Sequence, residues 1–404
     1  MERAITGKTI VLGVSGGIAA YKAISVASQL VQAGARVEPV LTLAALKFVQ
    51  PLTFSAITQT DVHTDPFAAW SEGFLGHISL AENADLVILA PATASTIARL
   101  AIGLADDLLQ LVCLSTSAPI LVAPAMEHQM FQHSATQSHL ETLRMRGVNF
   151  VGPDRGRLAS GAEGEGRLAT PEAIVETASW LLGRDGPLAG STVVVSAGGT
   201  REPIDPVRYI GNRSSGEMGY AIARAALQAG AKVTLVTGPV ALNAPRHARV
   251  IAVETALEMQ AAIGRAVQDA DVLIMAAAVA DFRPDTVSER KIKKVAGVDH
   301  VELKLTRNPD ILASLDDFAG VRIGFAAETD DLLGNARGKL TTKNLDAIIA
   351  NDAVSTIGAQ DSKATIVTRG GQLTTLPRMA KSDLAWEIVQ LAAQLLHDKR
   401  GFTS

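Results

Sequence analysis

Four short stretches hold residue types suited to phosphate or cofactor chemistry, and each follows an apolar run that reads as a strand. Ser15-Gly16-Gly17 pairs two glycines, which let backbone N–H groups approach a phosphate at a helix start. The spacing is not G-x-G-x-x-G, so no NAD fingerprint is present, and a plain tight turn is the competing reading. Ala90-Pro91-Ala92-Thr93 offers small side chains against which a flat ring can lie. Ala197-Gly198-Gly199-Thr200 precedes RYIGNRSSGEMG, where Asn212, Ser214, Ser215 and Gly216 gather donors at a helix start. Ordinary serine N-capping competes there. Lys291, Lys293 and Lys294, with Lys339 and Lys343 downstream, can offset triphosphate charge. Lys339 and Lys343 share one face if that segment is helical, although a lysine run is more often a solvated surface.

His77, in GHISL just before the third strand, is the best placed general base. A lone histidine is more often structural. The eight histidines show no HExxH or other paired metal spacing, and Glu127, His128 and His133 read as a surface helix.

These turns need a sheet to carry them. KTIVLGV (8–14), ARVEPVLT, ADLVILAPAT (84–93) and APILVAPAM (118–126) read as strands, with AAYKAISVASQLVQAG as a helix closed by Gly34. The pattern restarts with STVVVSAGGT (191–200), the helix EMGYAIARAALQAG, and strands AKVTLVTGP and ADVLIMAAAVAD (270–281). QAGARVEPVLT echoes QAGAKVTLVTG, and ADLVILAPA echoes ADVLIMAAA. The expected architecture is α/β, with two tandem Rossmann-like domains, 1–186 and 187–404, and a seam in Leu182–Gly190. VRIGFAA, DAIIAND and ATIVTR read as later strands, and LPRMAKSDLAWEIVQLAAQLLHDKR as a closing helix.

The 404 residues include 37 Lys+Arg against 41 Asp+Glu, a net charge of −4 that argues against a nucleic-acid or anionic-membrane binder. One cysteine, Cys113, excludes an intrachain disulfide and a multi-cysteine metal centre; its apolar setting reads as core. No apolar run approaches a membrane span, and Glu2 and Lys8 flank no leader-like stretch, so a cytoplasmic setting is expected.

In order along the chain, VLGVSGGIAAYK, GHISLAENADLVILAPAT, PAM, TREPIDPVRYI, RSSG, AAVADF, KIKK, NPDIL and GFAAET resemble the bifunctional phosphopantothenoylcysteine decarboxylase/phosphopantothenate–cysteine ligase family of coenzyme A biosynthesis. The resemblance implies a flavodoxin-like N-terminal domain that binds FMN. Ser15, Gly16, Gly17, Thr42, Pro91, Ala92 and Thr93 match its FMN positions, and His77 its catalytic histidine. There the flavin oxidises the cysteinyl thiol, CO₂ leaves, and the enethiol is reduced back. The C-terminal half resembles the CTP-dependent ligase, which makes an acyl-cytidylate of 4′-phosphopantothenate that cysteine's amine then attacks. Met275, Asp281, Pro309, Asp310, Ile311, Leu312, Phe325, Lys339 and Lys343 match CTP contacts. Lys291 matches the lysine of cytidylate formation, and Asn212 the asparagine of its conversion. Mg²⁺ is implied as a bridging ion, with no ligands assigned. So is a homo-oligomer, trimer-based or dodecameric through the decarboxylase domains and paired through the ligase domains.

The chain departs from that pattern at the decarboxylase substrate site. Glu127 stands where the family has an asparagine that meets the substrate carboxylate. Ser160 replaces the cysteine that completes enethiol reduction, and Ala162 an aspartate of the same clamp. A hydroxyl is a much weaker acid than a thiol. The substituted residues by themselves point to impaired or altered decarboxylation, while the resemblance over the whole chain implies both activities, in the order ligation, then decarboxylation. The alternative is a ligase whose N-terminal domain is a flavin-binding oligomerisation scaffold or an altered oxidative decarboxylase. Glu217, where a lysine is common, puts a negative charge beside the phosphate loop.

Overall fold

Runs of Val, Ile, Leu and Ala that end in glycine-containing turns build two largely parallel sheets, and helices cover their faces. The computed structural model describes residues 2–67, 76–293, 300–315, 317–328, 332–352 and 361–401. They divide into two compact units between Gly183 and Arg184. Among the described residues no helix is long and apolar enough to cross a membrane.

The first unit holds strands β1 (Thr9–Val14), β2 (Arg36–Leu41), β3 (Leu86–Ala92), β4 (Ile120–Pro124) and β5 (Asn149–Phe150). Its helices are α1 (Ala20–Gln32), α2 (Pro51–Thr58), α3 (Gly76–Asn83), α4 (Ala94–Ile102), α5 (Leu108–Ser115), α6 (His128–Gln132), α7 (Ser134–Met145) and α8 (Pro171–Leu182). The strands pair in parallel in the order β2-β1-β3-β4-β5. This is the flavodoxin order, not the six-stranded Rossmann order. A short antiparallel hairpin, β6 (Asp154–Arg157) and β7 (Glu163–Arg167), follows the sheet.

Alternation along β1 divides the core. Ile10, Leu12 and Val14 pack with α1 and α8 residues such as Ala23, Ala27 and Ile174. Val11 faces the other side, with Val87, Leu89, Leu109 and Val112. Gly13 on that side lies so close to Leu109 that a Cβ would collide with its side chain. Cys113 is buried in the same cluster, and burial, then Asp107, pushes its thiol pKa up to about 12. It is a core residue, as its sequence setting suggests.

In the second unit, β8 (Thr192–Ala197), β11 (Lys232–Thr237), β12 (Arg249–Ala252), β13 (Val272–Met275), β16 (Val321–Glu328), β17 (Ala347–Asp352), β18 (Asp361–Thr368) and β19 (Leu373–Ala380) form one sheet. Its order is β12-β11-β8-β13-β16-β17-β18-β19, with the last two strands antiparallel. The first six reproduce the Rossmann order 3-2-1-4-5-6. Helices α9 (Glu217–Gln228), α10 (Ala256–Ala266), α11 (Leu332–Thr342) and α12 (Lys381–Gly401) accompany it. Two small ribbons pair β9 (Arg201–Pro203) with β10 (Tyr209–Gly211), and β14 (Phe282–Pro284) with β15 (Leu305–Arg307).

The closing helix is shorter than the sequence pattern suggests. Leu376–Ala380 belongs to β19, and the helix starts at Lys381. Pro377 explains the difference, because an edge strand tolerates a missing N–H that a helix interior does not.

Candidate functional site

Strand order reverses between β1 and β3, and a ligand crevice is expected beyond the carboxyl ends of those strands. A cavity of about 780 Å³ opens there. That size suits a flavin-sized ligand. Gly17 and Lys22, Pro91 and Thr93, Glu127, and Ser160 of the hairpin all reach its wall.

The two turns are tied together by Ser15. Its hydroxyl donates to the Pro91 carbonyl at 2.7 Å and accepts from the Thr93 N–H at 3.0 Å. The side chain is 1% exposed, so it builds the cradle and does not reach into it. Gly16 has no space for a side chain, since a Cβ would strike the Ala44 backbone. Gly17 is open enough for close approach. No side chain caps the start of α1; its Ala20 and Lys22 N–H groups turn back to the Gly17 and Ala19 carbonyls at 2.9 and 3.0 Å. Thr93 instead caps α4 through the Thr96 N–H.

The remaining expected flavin residues stand elsewhere. Thr42 is beside the cradle but off the cavity wall; its hydroxyl accepts from the Ala45 N–H at 3.2 Å. Ala92 is buried in the core. His77 is half-buried on α3 and is also absent from the wall.

Glu127 caps the start of α6, its carboxylate accepting from the Gln129 N–H. His133 does the same for Ala135 at α7, and His128 meets the Glu165 carbonyl at 3.1 Å. These three residues are helix and hairpin fittings. Ser160 is exposed at the hairpin tip and accepts from the Ala162 N–H at 3.4 Å.

The hairpin itself was not legible in the strand pattern. Gly164 and Gly166 lie on one face of β7, two residues apart, and press against the segment at Met126–His128. A Cβ at Gly166 would overlap the Met126 carbonyl, and one at Gly164 the His128 ring. Met126 N–H donates to the Gly166 carbonyl at 2.9 Å. The available signal was glycine alternation in EGEGR, which marks close backbone approach.

In the second unit the order reverses between β8 and β13. The turn after β13 is held from three directions. Ala277 N–H donates to Ser196 Oγ at 3.1 Å, and Ala280 N–H to Thr200 Oγ1 at 3.0 Å. Asn212 Nδ2 donates to the Val279 carbonyl at 3.1 Å. Asn308 Nδ2 donates to the Ala280 carbonyl at 2.8 Å, and its N–H to the Asp281 carbonyl at 2.8 Å. This frame brings Asn212, Met275 and the exposed Asp281 to one strand end, with Pro309 and Asp310 following Asn308.

Ile311 and Leu312 pack in the core with Met275, so their side chains are structural. Lys343 pairs with Asp310 at 3.1 Å, one turn beyond Lys339 in α11. Phe325 is half-buried on β16, opposite Ile349. Lys291 and Lys293 are exposed, and Lys294 lies outside the described residues.

Two charged residues missed by motif reading organise this site. Asp205, 3% exposed, accepts from the Val207, Arg208 and Ile292 N–H groups and from the Arg208 guanidinium. The Arg208 bond first, and then these backbone N–H groups, hold its carboxyl well below the usual carboxylate range. Lys381, at the start of α12, donates to Glu217 at the start of α9. The acidic residue beside the 212–216 loop thus carries its own counter-charge. Among the described residues, no group of three His, Cys, Asp or Glu side chains could hold a metal ion.

Comparison with known proteins matches each of the two units to a family. The Flavoprotein family matches residues 1–182, and the DNA/pantothenate metabolism flavoprotein C-terminal domain matches residues 188–396. The coenzyme A biosynthesis bifunctional protein CoaBC of Bacillus subtilis (strain 168) is 44% identical over 399 residues, 97% of this chain and 98% of that protein. Its namesake from Escherichia coli (strain K12) is 48% identical over 352 residues, 86% of this chain and 87% of that one. A crystal structure of the C-terminal domain of a CoaBC protein is 40% identical and covers 53% of this chain and 99% of its own, with a TM-score of 0.46.

Proposed function

Because the chain belongs to the family of bifunctional coenzyme A biosynthesis proteins, we propose that its units catalyse consecutive reactions, ligation and then decarboxylation. The observation that carries this reading is the cavity at the first sheet's order reversal, together with the hydrogen-bonded frame that gathers Asn212, Met275 and Asp281 at the second sheet's reversal.

In the ligase unit, the carboxylate of 4′-phosphopantothenate attacks the α-phosphorus of CTP. The P–O bond to pyrophosphate breaks, leaving the acyl-cytidylate. Cysteine's amine then attacks the acyl carbon, a proton leaves the nitrogen, and CMP departs. Lys291, Lys339 and Lys343 offset the growing charge on the leaving phosphates. Asp281 offers its carboxylate to the cytosine amino group, and Asn212 stands beside it to orient the intermediate. Mg²⁺ enters on the nucleotide, held chiefly by phosphate oxygens, as that ion commonly is.

In the decarboxylase unit, the Gly16-Gly17 turn ahead of α1 fits the phosphate of FMN, and the small residues at Pro91–Thr93 fit its ring. A bound flavin supplies a two-electron acceptor and donor. Ser15 fixes the two turns, and Ser160 can donate a hydrogen bond to a substrate sulfur. Glu127 is occupied by α6, which favours a rebuilt substrate pocket over a lost activity. His77 remains the proton-transfer group. Its absence from the wall of its own chain's cavity supports a homo-oligomer in which a second copy completes each site.

The test is one incubation of purified protein with 4′-phosphopantothenate, cysteine, CTP and Mg²⁺, with products identified by mass. The expected product is 4′-phosphopantetheine. Accumulation of 4′-phosphopantothenoylcysteine with flavin bound would leave the ligase alone.

A further inference from the structure

The wall of the N-terminal cavity carries three cations that the reading above leaves unused. Lys22 comes from the first turn of α1, Arg157 from the end of β6 and Arg167 from the end of β7. Gly156, beside them, leaves room for Arg167: its guanidinium lies 3.4 Å from where a Cβ would stand. Among the described residues none of the three makes an ion pair within 4.0 Å, although the hairpin register sets Glu163 opposite Arg157 and Asp154 opposite Arg167. Burial first, and then the Arg167 charge, lowers the pKa of Lys22, with Asp154 opposing.

Lys22 is half-buried and the two arginines are exposed, so all three present their charge to a ligand entering the cavity, and an anion between them offsets their mutual repulsion. Glu127, the carboxylate on the same wall, is committed to the start of α6. The flavin's phosphate has its own place at Gly16-Gly17. Arginine's planar donors suit a phosphate dianion, and two of these three cations sit on the hairpin that carries Ser160.

We infer that Lys22, Arg157 and Arg167 form a phosphomonoester subsite, which holds the 4′-phosphate end of the acyl-cysteine substrate while its cysteinyl end meets the flavin. This rests on the decarboxylase reading of the unit.

The test needs no turnover. Full-length, flavin-loaded protein is titrated with 4′-phosphopantetheine and with pantetheine, following the flavin's visible absorption, which reports on this cavity and not on the ligase site. The phosphorylated ligand should bind roughly 10–100-fold tighter, the scale of charge-assisted hydrogen bonds. That preference should fall to about threefold or less in Arg157→Gln/Arg167→Gln and in Lys22→Met, with pantetheine affinity retained and partial recovery in Arg157→Lys/Arg167→Lys. Equal affinity of the native protein for both ligands overturns the subsite. So does a preference that survives all the variants. Loss of flavin from the variants on gel filtration assigns the cations to the flavin's own phosphate, and the inference is then wrong. Failure of both ligands to bind overturns the subsite and the decarboxylase reading together. Phosphate-dependent binding without 4′-phosphopantetheine formation overturns only the latter.

Discussion

Asp205 grips Ile292 by its backbone: the Ile292 N–H donates to Asp205 Oδ2 at 3.1 Å, and Arg208, itself held by Asp205, donates to the Ile292 carbonyl at 2.8 Å. The residue so fixed is the neighbour of Lys291. A side chain 86 positions earlier in the chain therefore sets where that lysine's backbone lies.

Asp205→Asn should leave the fold intact, because the β9–β10 ribbon remains, but should loosen the Lys291 segment. CTP-dependent pyrophosphate release is expected to fall about 10–100-fold, the scale of an ångström of misplacement. Unchanged release would show that Lys291 is positioned by other means.

Glu217 and Lys381 make a second long-range pair, joining the starts of α9 and α12. Lys381→Met leaves an unpaired carboxylate beside the 212–216 loop and should raise the KM for CTP about two- to fivefold, the scale of a partly exposed ion pair. Glu217→Gln with Lys381→Met should restore much of it. A double-mutant cycle on KM measures the coupling, and additive effects would refute it.

Gly166→Ala should cost about 1–3 kcal/mol by overpacking against the Met126 carbonyl. It should also weaken ligand-induced changes in the flavin spectrum, because the hairpin can no longer lie against the Met126–His128 segment. Thermal melting and flavin difference spectra check the two effects separately.

His247 gives a pH prediction. Burial first, then Arg246 and Arg184, lower its pKa from 6.5 to about 4. The unfolded chain binds a proton there more readily than the folded one. Its contribution to stability is present above pH 6.5 and is lost as pH falls from 6.5 towards 4. His247→Asn should flatten the melting-temperature profile across that window.

Strand ends were legible because glycine turns follow apolar runs, and the echo between the halves placed the turns at both order reversals. Fold order was not. The first sheet is flavodoxin-like because β3 pairs with β1 on the side away from β2, and no local pattern encodes which edge a strand joins; only the family resemblance implied it. Asp205 and Lys381 escaped because their partners lie far along the chain, so neither forms a spacing. Ile311 and Leu312 fit a motif by position, while their burial follows from packing beneath β13. Pro377 held the signal that ends the closing helix early, and the apolar run beyond it obscured that signal.

Ser15 bridges turns 76 residues apart, and its two hydrogen bonds fix their separation in the protein alone. A cofactor that spans both turns meets a gauge already set. It avoids an ordering cost of about 1–2 kcal/mol for each loop residue. The same stiffness makes the cradle a ruler: a ligand whose phosphate and ring are spaced differently cannot stretch it to fit. On the FMN reading proposed above, discrimination among flavins would reside in that length, held by one buried hydroxyl.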